Sequence, residues 1–395
     1  IKYGCTYPPS FNYDSLANTD DGSCYAVVEG CMDPAAFNYN DYDKDNFSNA
    51  ITEELGIDIN TDDGSCYAVV EGCMNPAAIN YNDLNGDYYS DDLYTSKKND
   101  RERELIELCD RFRKKDGSYD CLVPGSGGKD SAYTAHLLKY KYNMNPLTIT
   151  WPPILYTDYG LKNFNNWLDV GGFDNISYRR NGKVMKLLTK LSIENLLHPF
   201  QTFIIGQKNI SPKLALKFDI PLIFYGENQA EYGNPIADNS TSLMDSSFYT
   251  FKNMDNLYLG GVPIPKLKEK YGLEVKDLLT FLPPTVDEYK NGKEIEFHYF
   301  GYYKEWIPQE VYYYAVEHTG FKARPYRSQG TYSKYISIDD KIDDLHYYTT
   351  YIKFGIGRAT YETAQEIRNK HLTREEGCAL IKRFEGEFPD KYFDD

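Results

Sequence analysis

The sequence is short of several things, and each shortage removes a reading. No Cys-x-x-Cys pair occurs among its eight cysteines, which takes away the usual thiolate framework for zinc. No apolar run reaches the length of a membrane-spanning helix, so no membrane span is expected. No signal-peptide pattern opens the chain; with Ile1 in first place that absence decides little, and a cytoplasmic location is the expectation. Basic residues are scarce in residues 1–100, which hold 4 Lys+Arg against 19 Asp+Glu, while the remainder is balanced at 39 against 40. The net charge of −16 therefore belongs to the N-terminal segment. The balanced remainder lacks the basic surface that RNA binding favours, so no nucleic-acid partner is expected.

What is present begins with repeats. Asp20-Asp21-Gly22-Ser23-Cys24-Tyr25-Ala26-Val27-Val28-Glu29-Gly30-Cys31-Met32 returns 42 residues later as Asp62 to Met74, and each copy continues through Pro-Ala-Ala to Asn-Tyr-Asn. A shorter unit runs from Gly4-Cys5 to Cys24. Pairing within units joins Cys5 to Cys24 and Cys31 to Cys66 and leaves Cys73 over, although disulfides seldom persist in a cytosolic enzyme. The alternating carboxylates Asp41, Asp43 and Asp45, echoed at Asp83 to Asp91, resemble thrombospondin type 3 or EF-hand-like calcium loops. The twelfth position, which should bring a bidentate Glu, is Thr52 in one and Tyr94 in the other. Weak Ca2+ binding or none is expected, with a solvated acidic surface as the plain alternative.

The chain is organised around Cys121-Leu122-Val123-Pro124-Gly125-Ser126-Gly127-Gly128-Lys129-Asp130-Ser131. An apolar run leads into it, and Ala132, Ala135, Leu137 and Leu138 follow at helical spacing. Strand, glycine turn and helix start are the parts of a phosphate cradle, in which the backbone amides and the positive end of the helix face one anion. A Walker A loop is excluded, because Asp130 stands between Lys129 and Ser131. Ser-Gly-Gly-x-Asp-Ser is instead the PP-loop of ATP pyrophosphatases. Such loops hold the β and γ phosphates as leaving pyrophosphate, so a substrate oxygen attacks the α phosphorus. ATP and Mg2+ are the expected cofactors. Ser126, Gly127, Gly128, Asp130, Ser131 and Gly226 are assigned to the nucleotide, and Asp130 to Mg2+ through the phosphates. Asp130 and Lys129 are the candidate catalytic pair.

Apolar runs and helical patterns then alternate: strand 147–151, helix near 160–170, strand 175–178, helix 184–197, strand 221–225. This predicts an α/β fold, a parallel sheet with helices on both faces in a Rossmann-like α/β/α sandwich, with a helical C-terminal part and a small irregular N-terminal repeat region. The domains expected are acidic repeats over 1–95, a helical linker over 96–117, an ATP-binding domain over 118–235, and an insertion with a C-terminal substrate and partner region over 236–395. Ligands bind beyond the C-terminal strand ends. There the sequence offers Trp151-Pro152-Pro153, Tyr156-Thr157-Asp158, Phe200-Gln201, Gly206-Gln207-Lys208-Asn209 and Tyr225-Gly226-Glu227-Asn228. Glu227, Asn228, Gln207 and Lys208 are the substrate candidates. Residues 237–291 suggest an insertion covering the site, and Asp339 to Asp344 reads equally as a solvated helix start or as part of the site.

The chain also resembles the N-acetyl sugar amidotransferases of bacterial surface-polysaccharide biosynthesis, of lipopolysaccharide and O-antigen type. The resemblance is carried by Lys115 to Cys121, Leu222 to Asn228, Tyr347 to Thr360, Glu366-Ile367-Arg368-Asn369 and Thr373-Arg374-Glu375-Glu376-Gly377, within residues 105–392. It implies conversion of a sugar acetamido group to acetamidino with ATP and ammonia. It further implies a nucleotide-linked N-acetyl amino sugar as substrate, and ammonia from a separate glutaminase through a channel-forming subunit. Relatives usually carry a short cysteine zinc motif at the N-terminus, where this chain has acidic repeats. Cys109, Cys121 and Cys378 read as buried structural thiols. Two other readings stand beside this one: a PP-loop tRNA-modifying enzyme, which would normally need reactive cysteines or a basic surface, and a surface-adhesive repeat protein with a passive PP-loop domain.

Overall fold

A computed structural model describes residues 1–10, 12–24, 29–30, 61–62, 91–227, 241–244, 257–285, 288 and 295–395. The contacts divide the chain into two units, Ile1–Asp91 and Asp92–Asp395. In the first, the two ends of a repeat meet: Tyr3–Gly4 pairs in parallel with Thr19–Asp20, and Glu29–Gly30 pairs in the same way with Thr61–Asp62. Cys5 and Cys24 are disulfide-bonded across the first of these pairings, as pairing within the unit predicts. The aspartates of the motif serve their own turns, Asp20 accepting from the Gly22 amide and Asp21 from the Ser23 amide. Asp41, Asp43 and Asp45, and Cys31, Cys66 and Cys73, lie outside the described residues.

The second unit is built on five parallel strands: β1 Cys121–Pro124, β2 Pro146–Thr150, β3 Asn175–Ser177, β4 Leu222–Tyr225 and β5 Glu296–Tyr299. Their order is β5-β4-β1-β2-β3. Chain direction across the sheet reverses between β1 and β4, and that switch point opens a crevice at the strands' C-terminal ends. Among the described residues the longer helices are α1 Asp91–Phe112, α2 Lys129–His136, α3 Asp158–Asp169, α4 Gly182–Leu196, α5 Gln201–Phe218, α6 Ile264–Tyr271, α7 Pro308–Thr319, α8 Asp343–Phe354, α9 Arg358–Arg368 and α10 Arg374–Phe384.

Strand side chains alternate between two cores, which is why the central strands β1 and β4 are apolar throughout. Leu122, Ile223 and Phe297 point into a cluster with Val184, Leu188, Ile210 and Leu214 of α4 and α5. Cys121, Val123, Leu222 and Phe224 point the other way, into Leu105 of α1, Ala132 of α2, Trp167 of α3 and Ala315 of α7. The expected α/β/α sandwich is therefore present. Among the described residues no helix is long and apolar enough to cross a membrane.

Four expectations need correction. Phe200-Gln201 and Gly206 to Asn209 do not end a strand; Gln201 to Asn209 form the first half of α5, with Phe200 as its N-cap. The described parts of 237–291 do not stand over the site, because Leu259, Leu267, Leu278 and Phe281 pack into the core with α4 and α5. β5 was not foreseen; it is only four residues long and carries two polar ones. Cys109 and Cys121 are buried, but Cys378 is exposed on α10.

Candidate active site

β1 delivers the chain to the crevice, and the Gly125 amide continues the ladder by donating to the Ile149 carbonyl at 2.9 Å. The glycines that follow have separate reasons. A Cβ on Gly125 would stand 2.2 Å from the Ser131 Cβ, so the loop closes on itself only without one. Gly127 has φ +84° and sits against α3, where a Cβ would come within 2.6 Å of the Phe164 Cα. Beside Gly128 the space is open, with nothing nearer than the Ser126 Oγ at 3.9 Å. Gly128 is also the N-cap of α2 and supplies no side-chain acceptor. The first-turn amides of α2 are thus uncapped by the chain and face an anion-sized opening.

Lys129 is 94 % buried by its 6 % exposure, and its ammonium lies 2.5 Å from the Asp130 carboxylate. Ser131 turns inward and donates to the Gly128 carbonyl at 3.1 Å. The cavity above the loop has a volume of about 150 Å³. Ser126, Gly127, Gly128, Lys129 and Asp130 form its floor, Gly160 and Asn163 of α3 one side, and Tyr335 to Asp339 the far wall. That wall is fastened by backbone. The Thr157 amide donates to the Asp339 carbonyl at 3.0 Å and the Thr157 hydroxyl donates to the Ile338 carbonyl. Gly160 lets α3 approach, since a Cβ there would meet the Asp339 Cα at 2.5 Å. Asp340 accepts from the amides of Ile154, Leu155 and Ile342. Burial nonetheless pushes its carboxyl up to about 6. The acidic run 339–344 is consequently no solvated helix start: Asp340 and Asp344 are both buried.

Of the residues singled out in the sequence, Ser126 to Asp130 come together around one cavity. Gly226 packs on the back of the loop; a Cβ there would be 3.4 Å from the Asp130 carbonyl oxygen. Glu227 follows it; burial first, and then the Glu227 charge, push the Tyr225 phenol up to about 12. Gln207 and Lys208 lie on α5 and do not line the cavity, although burial lowers the Lys208 ammonium. Asn228 lies outside the described residues. Of the far wall, Tyr335 to Ile338 carry no signal in the sequence analysis, and only Asp339 lies in a run read there as a possible part of the site.

Behind that wall the C-terminal segment is held by buried charge. Arg358 pairs with Glu362 at 2.6 Å, and Glu362 also accepts from the hydroxyls of Thr331 and Ser333. Glu366 accepts from Gln309 at 2.7 Å and meets His371 at 2.7 Å. Arg327 clasps both oxygens of Glu387. The Tyr347 hydroxyl joins this network to the cavity, 2.7 Å from the Ser337 hydroxyl and 2.5 Å from Arg358.

ATP and Mg2+ fit these residues in kind: an uncapped helix start, an open cradle at Gly128, a buried lysine and a carboxylate oxygen suit phosphate and a hard divalent cation. No group of three or more metal-ligating side chains occurs among the described residues.

Comparison with solved structures finds the U34-tRNA thiolase NcsA of Methanococcus maripaludis with its 4Fe-4S cluster (13% identity, TM-score 0.34, covering 78% of this chain and 83% of that one). It also finds the NH3-dependent NAD synthetase of Campylobacter jejuni (14%, 0.29, 48% and 77%) and the NMN synthetase of Francisella tularensis (12%, 0.25, 49% and 80%). Likenesses at these scores carry no argument about function. Among curated proteins, an uncharacterized protein of Methanocaldococcus jannaschii is 40% identical over 48 residues, 12% of this chain; the match spans 17% of that relative's length. Residues 329–395, the charged segment behind the cavity, match the model of the family described as LPS biosynthesis protein WbpG-like, C-terminal domain.

Proposed function

We propose that this chain is an ATP-dependent amidotransferase of lipopolysaccharide biosynthesis that converts a sugar acetamido group to acetamidino. The observation that carries the reading is the open, uncapped loop 125–130 facing a wall, residues 335–339, that lies within the segment matching the lipopolysaccharide family.

An amide carbonyl is a poor electrophile, and its oxygen must be made a leaving group. The acetamido oxygen attacks the α phosphorus of ATP, and pyrophosphate departs into the loop. The amides around Gly127 and Gly128 and the first turn of α2 receive its charge. Lys129 adds a fixed positive charge against the phosphates, and Asp130, released from Lys129, offers its carboxylate to the metal. Mg2+, when bound with the nucleotide, supplies neutralisation of phosphate charge. Ammonia then adds to the imidate carbon, AMP leaves with the former amide oxygen, and the acetamidino group remains. Gly127 and Gly160 keep floor and wall at the spacing that positions the two reactants. Glu227 and Asn228 are the proposed substrate contacts, a nucleotide-linked N-acetyl amino sugar the substrate, and a separate glutaminase with a channel subunit the source of ammonia.

The test is incubation of the chain with ATP, Mg2+, ammonium and a panel of nucleotide-linked N-acetylated sugars, following AMP, ADP and sugar mass together. Sugar-dependent AMP and pyrophosphate, with one oxygen of the product replaced by NH, is the expected result. Turnover only with tRNA, or ADP as product, would overturn the reading.

A further inference from the structure

A second, much smaller cavity lies behind the far wall, bounded by Asp344, Tyr347, Tyr348, Tyr351, Arg358 and Glu387. Its volume, about 10 Å³, is on the scale of a single water-sized guest. Two of its three charges are already matched, Arg358 by Glu362 and Glu387 by Arg327. The third is not. Asp344 is 5 % exposed, both its oxygens are closed off from solvent, and neither accepts a hydrogen bond of normal geometry. Arg324 and Lys391 act on it by charge and Gln329 through its backbone, but neither cation forms an ion pair with it: Arg324 donates to the Ser328 hydroxyl and the Ile338 carbonyl, and Lys391 stands over the Tyr326 ring. A buried carboxylate without a donor is costly, and such a group marks a place where something else supplies the donors.

The chemistry of the missing guest follows from the walls. Burial raises the Asp344 carboxyl, so it ionises with a guest that offsets that burial; once ionised it only accepts hydrogen bonds, and three tyrosines bring phenol oxygens and electron-rich ring faces, all of which favour a small cation that only donates. We infer that this cavity is an ammonium site, with Asp344 as its anchor. The inference rests on the amidotransferase reading, which requires ammonia at the neighbouring nucleotide cavity. The partition between the two cavities includes a single hydrogen-bonded pair: Tyr347 lines the small one, Ser337 lines the large one, and their hydroxyls are 2.7 Å apart. Ser337 holds φ +47°, an uncommon conformation for a residue with a side chain, so the partition is built under strain. A guest at Asp344 is therefore one side chain away from the reaction.

Asp344→Asn removes the anchoring charge and keeps the shape. Loss of one charge-assisted contact of this kind corresponds to roughly tenfold or more in affinity. The expected result is a KM for ammonium raised by about that factor, recoverable at saturating ammonium, with the KM for ATP unmoved. Binding of isotope-labelled ammonium, followed by NMR on the full chain without ATP, is the independent readout. A protein-bound ammonium signal in the wild type that disappears in Asp344→Asn, and in a second variant, Tyr351→Leu, supports the site. An unchanged ammonium KM in a folded Asp344→Asn protein overturns it, as does full displacement of the signal by equimolar potassium, which would make the cavity a general cation or water pocket. If the wild type makes no AMP with any sugar, the proposed function fails, while the NMR result still decides the site by itself.

Discussion

The two walls of the cavity above the glycine loop are made of different material. The floor, 125–130, is backbone and glycine, with its shape set by places where a Cβ cannot go. The far wall is fastened through its own backbone carbonyls, and the segment behind it is held by side chains, in ion pairs and hydroxyl contacts around Glu362 and Glu366. The first material receives an anion whose charge is its own; the second has to compensate its own charges before it can hold anything. Damage should therefore cost stability on the far side and turnover on the near side.

The largest effect is expected behind the far wall. Arg358→Met leaves Glu362, 3 % exposed, without its counter-ion, and should lower unfolding stability by about 3–5 kcal/mol, measured by urea denaturation. Adding Glu362→Leu should recover part of that loss; if it does not, the charge pair is not what holds this side. On the floor, Asp130→Asn should reduce ATP turnover on the order of a hundred-fold or more, and, because it takes the counter-ion from the buried Lys129, should lower the melting temperature as well. Gly127→Ala comes next: a Cβ at positive φ against the Phe164 backbone should cost about 1–3 kcal/mol and raise the KM for ATP.

A smaller effect concerns pH. His346 stacks on His198, and burial first, then His198 and Arg358, pushes its pKa down to about 3. The unfolded chain takes up that proton near its ordinary value of 6.5, the folded chain only near 3. The stability it contributes is therefore complete above about pH 6.5 and is lost as pH falls toward 3. His346→Phe keeps the ring and removes the proton, so the drop in melting temperature on acidification from neutral should shrink by a few degrees, read by calorimetry. The smallest effect is expected from Cys5→Ser, which opens the disulfide of the other unit and should leave ATP turnover unchanged in a coupled pyrophosphate assay.

The same difference in material decides what the sequence disclosed. β1, the loop and α2 are legible because glycine at fixed spacing has few other uses, and β2 and β4 because strands buried on both faces read as apolar runs. α5 was not legible: its core-facing positions include Thr202, Gly206, Asn209 and Ser211, with Pro212 inside, so no apolar stripe marks it. The far wall was hidden for a related reason. Asp340, Asp344, Glu362 and Glu366 look like solvated charge in a sequence, and only the fold brings them the donors, or the cavity, that make their burial intelligible.

The most direct test of the account is the fate of the acetamido oxygen. With a sugar carrying heavy oxygen in that group, ammonium and ATP, attack on the α phosphorus predicts the label in AMP, at the phosphate, in amounts equal to the amidine formed. Label in inorganic phosphate, or retained in the sugar while ATP is consumed, would contradict it.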